Sequence, residues 1–249
     1  MKSKIIMTVV LAVSYLGVFV ISASAKKPKK EEIYSQSFGQ LNSGTELELK
    51  FEKGKEHNHP LFAIWLADEQ GKFIQTLYVS KSIANGFFEH GNNKTGKWQP
   101  GEIQRPATLP YWAHQRAVLN EYGTYMPTPR QPEVDAYTGA TPQTSFVFYL
   151  KTEKKLEGKY KIMMELNQSW DWNEWWYNDK FPDDKEYKTS SQPALVYSAD
   201  IDTNVSDKIW LLKPIGHSHY AGKDGSLTSD LSTMTTAMKI ARQITVRIR

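Results

Sequence analysis

Seven residues, Asp135-Ala136-Tyr137-Thr138-Gly139-Ala140-Thr141, are spaced so as to offer a hydroxyl to an outside reagent. Gly139 and Ala140 keep side-chain bulk away from Thr141, Gly139 lets the backbone bend, and Pro142 steers Thr141 out of the helical region. The Thr141 hydroxyl is therefore expected on an accessible extended turn, where a transferase can reach it. Asp135 can cap that turn or orient an incoming nucleotide and its magnesium. The same residues equally suit an ordinary Asp-initiated turn leading into a strand at Ser145.

Two further groups of side chains stand out. Trp170-Asp171-Trp172-Asn173-Glu174-Trp175-Trp176-Tyr177 holds four of the eight tryptophans. Such density is hard to bury completely, because each indole N–H wants a partner. On a strand end Trp170 and Trp172 would point one way and Asp171 and Asn173 the other. The readings are a stacking wall for a planar cofactor, a sugar platform, or packing over the edge of the fold. The histidines include two His-x-His pairs, His57/His59 and His217/His219. On a strand each pair would place both rings on one face, a usable start for a metal site if His90, His114 or Asp224 converges as third ligand; the alternative is turn histidines that only hydrogen-bond. Gly216, Gly222 and Gly225, near Lys213 and Lys223, are a candidate phosphate cradle. There is no Gly-x-Ser-x-Gly elbow, no His-Glu-x-x-His, and no cysteine to serve as nucleophile.

The ends and the composition narrow the setting. Lys2 and Lys4, the apolar run Ile5 to Ile21 and Ala23-Ser24-Ala25 have the order of a secretory signal peptide over residues 1–25, with residues 26–44 as a flexible leader. A membrane anchor is the rival reading of that segment. The expected location is periplasmic or otherwise extracytoplasmic. With no cysteine there is no disulfide framework, so stability rests on packing. The formal charge of +4 loses two units with Lys2 and Lys4, and the basic residues are scattered apart from Lys26-Lys27-Pro28-Lys29-Lys30. Nucleic-acid binding is not indicated.

The elements that must position these groups read as strands. Thr45 to Phe51 alternates with Leu47, Leu49 and Phe51 on one face; Leu61 to Leu66 and Phe73 to Val79 flank the turn Asp68-Glu69-Gln70-Gly71. Further candidates are Ser145 to Leu150, Tyr160 to Leu166, Ala194 to Ile201, Ile209 to Ile215 and Gln243 to Ile248. Short strands without a βαβ rhythm predict an all-β, immunoglobulin-like antiparallel β-sandwich over residues 45–249. Ala84 to Pro132 reads as a long loop insertion with a short helix near Trp112 to Leu119. Leu231, Met234, Met238 and Ala241 behind Ser229 and Asp230 predict a short C-terminal helix.

The heptapeptide has the form Asp-x-x-(Ser/Thr)-Gly-Ala-Thr and resembles the acceptor motif of FAD:protein FMN transferase, in which the last threonine bears FMN as a phosphodiester. Taken with His59-Pro60-Leu61-Phe62-Ala63-Ile64-Trp65-Leu66, Gly71-Lys72 and Gly158-Lys159-Tyr160, in that order, the chain resembles the predicted periplasmic family called domain of unknown function twenty-two seventy-one. It departs from a minimal member in its Ala84 to Pro132 insertion and its Trp-rich segment. The resemblance implies an electron-transfer protein with covalent FMN on Thr141. Asp135, Thr138, Gly139 and Ala140 would form the acceptor motif, with Trp170 and Trp172 as stacking wall. The implied partners are the transferase and a PepSY-type membrane redox protein. A periplasmic ligand-binding or assembly module is the alternative, and a metal-dependent enzyme using His57, His59, His217 and His219 comes third.

If the signal peptide is cleaved as read, the mature N-terminus is Lys26. N-terminal sequencing of protein from its native cell envelope checks this, and a chain beginning at Met1 in the membrane fraction would show an anchored protein instead.

Overall fold

Alternation of apolar and polar side chains is the force that builds this fold, because a strand that buries one face must find a second sheet to cover it. The structure, a computed structural model, describes residues 33–39, 41, 43–133 and 137–249. The segment read as a signal peptide, and Asp135, lie outside the described residues. In chain order the strands are β1 (Tyr34–Phe38), β2 (Glu46–Lys53), β3 (Leu61–Asp68), β4 (Phe73–Ser80), β5 (Phe87–Asn92), β6 (Gln99–Glu102), β7 (Tyr137–Gly139), β8 (Phe146–Lys151), β9 (Lys159–Asn167), β10 (Leu195–Asp202), β11 (Trp210–Leu211), β12 (Lys213–Ser218), β13 (Leu227–Thr228) and β14 (Ala241–Ile248). Two short helices, α1 (Lys81–Asn85) and α2 (Pro110–Arg116), lie between β4 and β7.

The strands form an all-β sandwich. One sheet has the order β1-β8-β2-β14-β11 and the other β13-β12-β10-β9-β3-β4-β7, while β5 and β6 pair as a separate hairpin. Pairing is antiparallel except for β1 with β8 and β4 with β7. The inner faces meet over a slab of rings. Phe51 stacks on Phe146 at 4.8 Å, Phe146 lies 5.4 Å from Phe62, and Phe62 lies 5.1 Å from Tyr78. All four are fully buried.

The seven-stranded sheet is buried on its outer face as well. In β3, Phe62, Ile64 and Leu66 enter the core between the sheets, while Ala63, Trp65 and Ala67 enter a second core with Ile83, Phe88, Leu109, Trp112 and Met126 of the insertion. This explains why Leu61 to Leu66 reads as a continuous apolar run and not as an alternation. The insertion is thus a third layer. Its helix is anchored by Glu165 of β9, whose carboxyl oxygens accept the Tyr111 N–H at 3.1 Å and the Trp112 N–H at 2.7 Å. These donors sit in the first turn of α2, where no intrahelical acceptor exists. Arg116, at the other end of α2, pairs with Glu133, both nearly buried, and lies over the Trp112 ring. Among the described residues no helix is long and apolar enough to cross a membrane.

Four expectations need correction. Residues 34–38, assigned to the flexible leader, form β1, an edge strand held by Phe38, whose ring lies 4.9 Å from Phe148 and 5.1 Å from Tyr78. The predicted run Ile209 to Ile215 divides at Leu212, giving β11 to one sheet and β12 to the other. The helix near Trp112 starts earlier, at Pro110, and ends where Ala117 turns left-handed with φ of 56°. The C-terminal helix shrinks to a single 3-10 turn, Ala237–Lys239. The threonines there explain it: Thr233 O and Thr235 Oγ1 accept from Asn173, and Thr236 donates to Asp171, so these groups serve a tertiary network in place of a helix.

Glu165 gives the fold a pH signature. Burial pushes its carboxyl up from 4.5 to about 8, against the lowering effect of the Trp112 and Tyr111 N–H groups and the Ser218 hydroxyl. The folded state then holds a proton that the unfolded state has lost between those values. This contribution is complete below about 4.5 and declines toward pH 8, with a slope of up to about 1.4 kcal/mol per pH unit. Urea titrations across pH 5 to 9 should show the decline in wild type and a flatter profile in Glu165→Gln; equal slopes would remove Glu165 as the cause.

Candidate functional site

Strand register brings the chemically interesting segments to one end of the seven-stranded sheet. Ser80 at the end of β4 pairs with Gly139 at the end of β7, Leu61 at the start of β3 pairs with Asn167 at the end of β9, and Leu195 at the start of β10 pairs with His217. Thr141, Ser80, the His57-to-His59 turn, Trp170 and His217 therefore lie at that end. Three strand spacings separate β7 from β9, about 14 Å at roughly 4.8 Å each.

Thr141 is held, not loose. Its Oγ1 lies 3.1 Å from Ser80 Oγ, and the Ser80 oxygen also accepts the Phe62 N–H at 3.0 Å. Two residues earlier, the Tyr78 hydroxyl donates to Gly139 O at 3.0 Å, and burial raises the Tyr78 phenol well above its usual range, which keeps it a donor. Pro142 is buried and Thr141 half-buried, whereas Thr138 and Ala140 are exposed. Gly139 is extended strand and not a bend, since its φ is not among the positive ones, and a Cβ there would meet the Tyr78 hydroxyl no closer than 3.5 Å. Its expected role as a hinge is thereby corrected. The segment presents Thr141 by edge pairing with β4.

Ser80 is the residue that sequence reasoning missed. It stands at the N-cap of α1, where a serine ordinarily bonds a helix N–H, yet it makes no such bond. Its hydroxyl is committed to Phe62 and Thr141 instead, a partner 61 positions away that no local spacing could reveal.

The Trp-rich segment splits by role. Trp172 packs against the main core, its ring edge-on to Tyr187 at 5.9 Å, and Trp176 is buried with its indole N–H on Thr233 Oγ1 at 3.1 Å. The expected pairing of Trp170 with Trp172 on one face is not found: the segment is a turn, and Trp170 is 66% exposed with φ of 62°. Asn173 organises that turn. Its amide donates to Gln192 Oε1, Thr233 O and Thr235 Oγ1, and its carbonyl accepts from the Trp175 and Trp176 N–H groups. Gln192 in turn donates to Asp171 O at 2.7 Å.

The histidines do not converge. His217 is buried, donates from Nδ1 to Ser218 O and lies edge-on to Trp176. His219 lies beyond β12, stacks on Tyr220 at 4.5 Å and accepts the Ala221 N–H. His57 sits edge-on to Phe51, and His59 is exposed beside Asn58 Oδ1. Among the described residues no group of three or more His, Cys, Asp or Glu side chains is placed to hold a metal ion. The glycine cradle is also filled by protein. A Cβ on Gly222 would come within 2.0 Å of Pro106 O, one on Gly225 within 2.5 Å of His114 Cβ, and one on Gly216 within 2.6 Å of Thr228 O. These glycines let the 216–225 segment pass close to β13 and the insertion.

Two shallow cavities lie elsewhere, one of about 170 Å³ lined by Ser37, Phe38, Glu46, Tyr149 and Lys151, the other of about 300 Å³ beside Lys180, Phe181, Tyr220 and Lys223. Thr141 lines neither of these two. No family model, curated protein or solved structure matches this chain.

With their rings engaged separately, His217→Ala and His219→Ala should each leave the metal content of a chelator-free preparation unchanged. Elemental analysis checks this, and a stoichiometric metal lost in both variants would reinstate the site.

Proposed function

We propose that this protein is an extracytoplasmic electron carrier with FMN covalently attached to Thr141, loaded by an FAD:protein FMN transferase and reduced by a membrane redox protein of PepSY type. The observation that carries the reading is the presentation of Thr141: a half-buried hydroxyl in an acceptor-like segment, two residues past the end of edge strand β7, fixed through Ser80 and preceded by exposed Thr138 and Ala140. Thr141 would bear the phosphodiester. FMN supplies electron transfer when bound, while the chain sets its exposure and surroundings. Of the two tryptophans read as a stacking wall, Trp170, at the same end of the sheet and largely exposed, is available to stack on the ring; Trp172 is committed to packing.

A second reading has its own observation. Trp170, Trp175 and Tyr177 leave 66%, 38% and 49% of their surfaces exposed, as a ligand-binding or assembly module would require.

Co-expression with the transferase separates the two. The carrier reading expects an intact mass raised by one FMN less one water, yellow fluorescence that survives denaturation, and loss of both in Thr141→Ala. That variant should fold, since it gives up one hydrogen bond worth about 1 kcal/mol. Wild-type protein that keeps the bare-chain mass would leave the module reading standing. In loaded protein, Trp170→Ala should shift the flavin absorption or reduction potential.

A further inference from the structure

The Ser80 hydroxyl has a partner pattern that favours one direction for its bond to Thr141. Ser80 is 1% exposed, and its oxygen already receives the Phe62 N–H. Among the described residues the acceptor open to its own proton is Thr141 Oγ1, at 3.1 Å. We infer that Ser80 is a positioning residue for modification of Thr141, donating to the threonine oxygen, turning the threonine proton outward and later holding the same oxygen as an ester. This rests on the acceptor reading of Thr141 and extends it to a residue outside the heptapeptide.

The chemistry favours that polarity. In the transfer, Thr141 Oγ forms a bond to the flavin-side phosphorus of FAD. The bond from that phosphorus to the bridging oxygen breaks, AMP leaves with that oxygen, and the threonine proton passes to a base of the transferase. An in-line displacement needs the attacking lone pair aimed outward and the proton accessible. A hydroxyl that donated inward to Ser80 would have its proton on the wrong side. After transfer the ester oxygen has no proton and can only accept, so a Ser80 donor bond survives the reaction whereas a Thr141 donor bond would be lost.

The backbone supports the same assignment. Tyr78 fixes the Gly139 carbonyl, and pairing of Ser80 with Gly139 sets the register that brings the two hydroxyls together. Ser80 forgoes its helix-capping bond while doing so.

The test uses the full chain as substrate for the FAD:protein FMN transferase, with adduct formation followed by intact mass. Ser80→Ala should lower kcat for the acceptor protein about 5- to 10-fold, the loss of one oriented hydrogen bond, with KM little changed. Ser80→Thr, which keeps the hydroxyl, should restore most of the rate. The phosphorus NMR resonance of loaded native protein should differ between Ser80→Ala and wild type, a readout that a purely structural role would not move. Thermal melting establishes that each variant is folded at the assay temperature, and Ser80→Cys against Ser80→Thr reads the same contrast should Ser80→Ala not fold. Equal kcat in wild type and the hydroxyl-free variants, with wild type flavinylated, would overturn the role of Ser80 alone. No adduct on wild type would overturn the acceptor reading and this inference together.

Discussion

The arrangement of this protein turns on one buried carboxyl. Glu165 lies on β9, a central strand of a sheet covered on both faces, where an unpaired polar group would cost several kcal/mol. The start of α2 supplies what it lacks, two backbone N–H groups that have no acceptor inside their own helix. Each side satisfies the other. The insertion is thereby fixed to the sheet at a defined place, and Trp112 follows into the second core with its indole N–H on Thr76 at 3.1 Å.

That anchoring matters because the insertion separates the two halves of the candidate site. The chain leaves the sheet at Ser80 and returns at Tyr137, and the ends are rejoined by the parallel pairing of β4 with β7 and by the Ser80–Thr141 contact. A three-residue edge strand has little cohesion of its own. Its position depends on the return path, where Glu133 donates its N–H to Ala84 O at 2.7 Å and pairs through its carboxylate with Arg116 of α2. A buried pair of this kind adds little net stability but is costly to break, so it acts as a latch more than as a source of binding energy. The geometry around Thr141 is thus set by contacts made well away from it.

These dependencies mark what a sequence can show. The strands were legible because burial on one face leaves a period of two, as in Leu47, Leu49 and Phe51, and burial on both leaves an apolar run, as in Leu61 to Leu66. β1 was not, since Tyr34-Ser-Gln-Ser-Phe38 has a single deep anchor and sits beside a charged segment. The run Ile209 to Ile215 concealed a crossing between sheets, because a strand leaving one sheet for the other keeps its apolar composition. The methionine spacing near the C-terminus suggested a helix, but spacing carries no record of what Asn173 demands of the threonines between. Thr141 could be nominated from residue type and neighbours, and Ser80 could not, its significance being wholly a matter of register. The His-x-His pairs show the converse, a spacing that suits a metal and rings that the fold sends to Ser218, Tyr220, Phe51 and Asn58.

The Trp-rich turn carries the same logic to the exposed surface. Trp170 and Ser191 both adopt positive φ, 62° and 71°, conformations that cost a non-glycine residue about 1–3 kcal/mol and persist only where surrounding contacts over-determine them. Ser191 forms the bridge with Asp171, the residue after Trp170, and the contacts of Asn173, Gln192 and Thr236 close around it. Packing of partly buried Trp172 and buried Trp176 against the core supplies the apolar weight that holds the turn down. Trp170 itself is left outside, 66% exposed, at the residue where the backbone turns left-handed. An exposed tryptophan anchored at this point keeps its place at the end of the sheet while its χ angles stay free to fit a ring brought against it, which is what a stacking partner for a tethered ring would need.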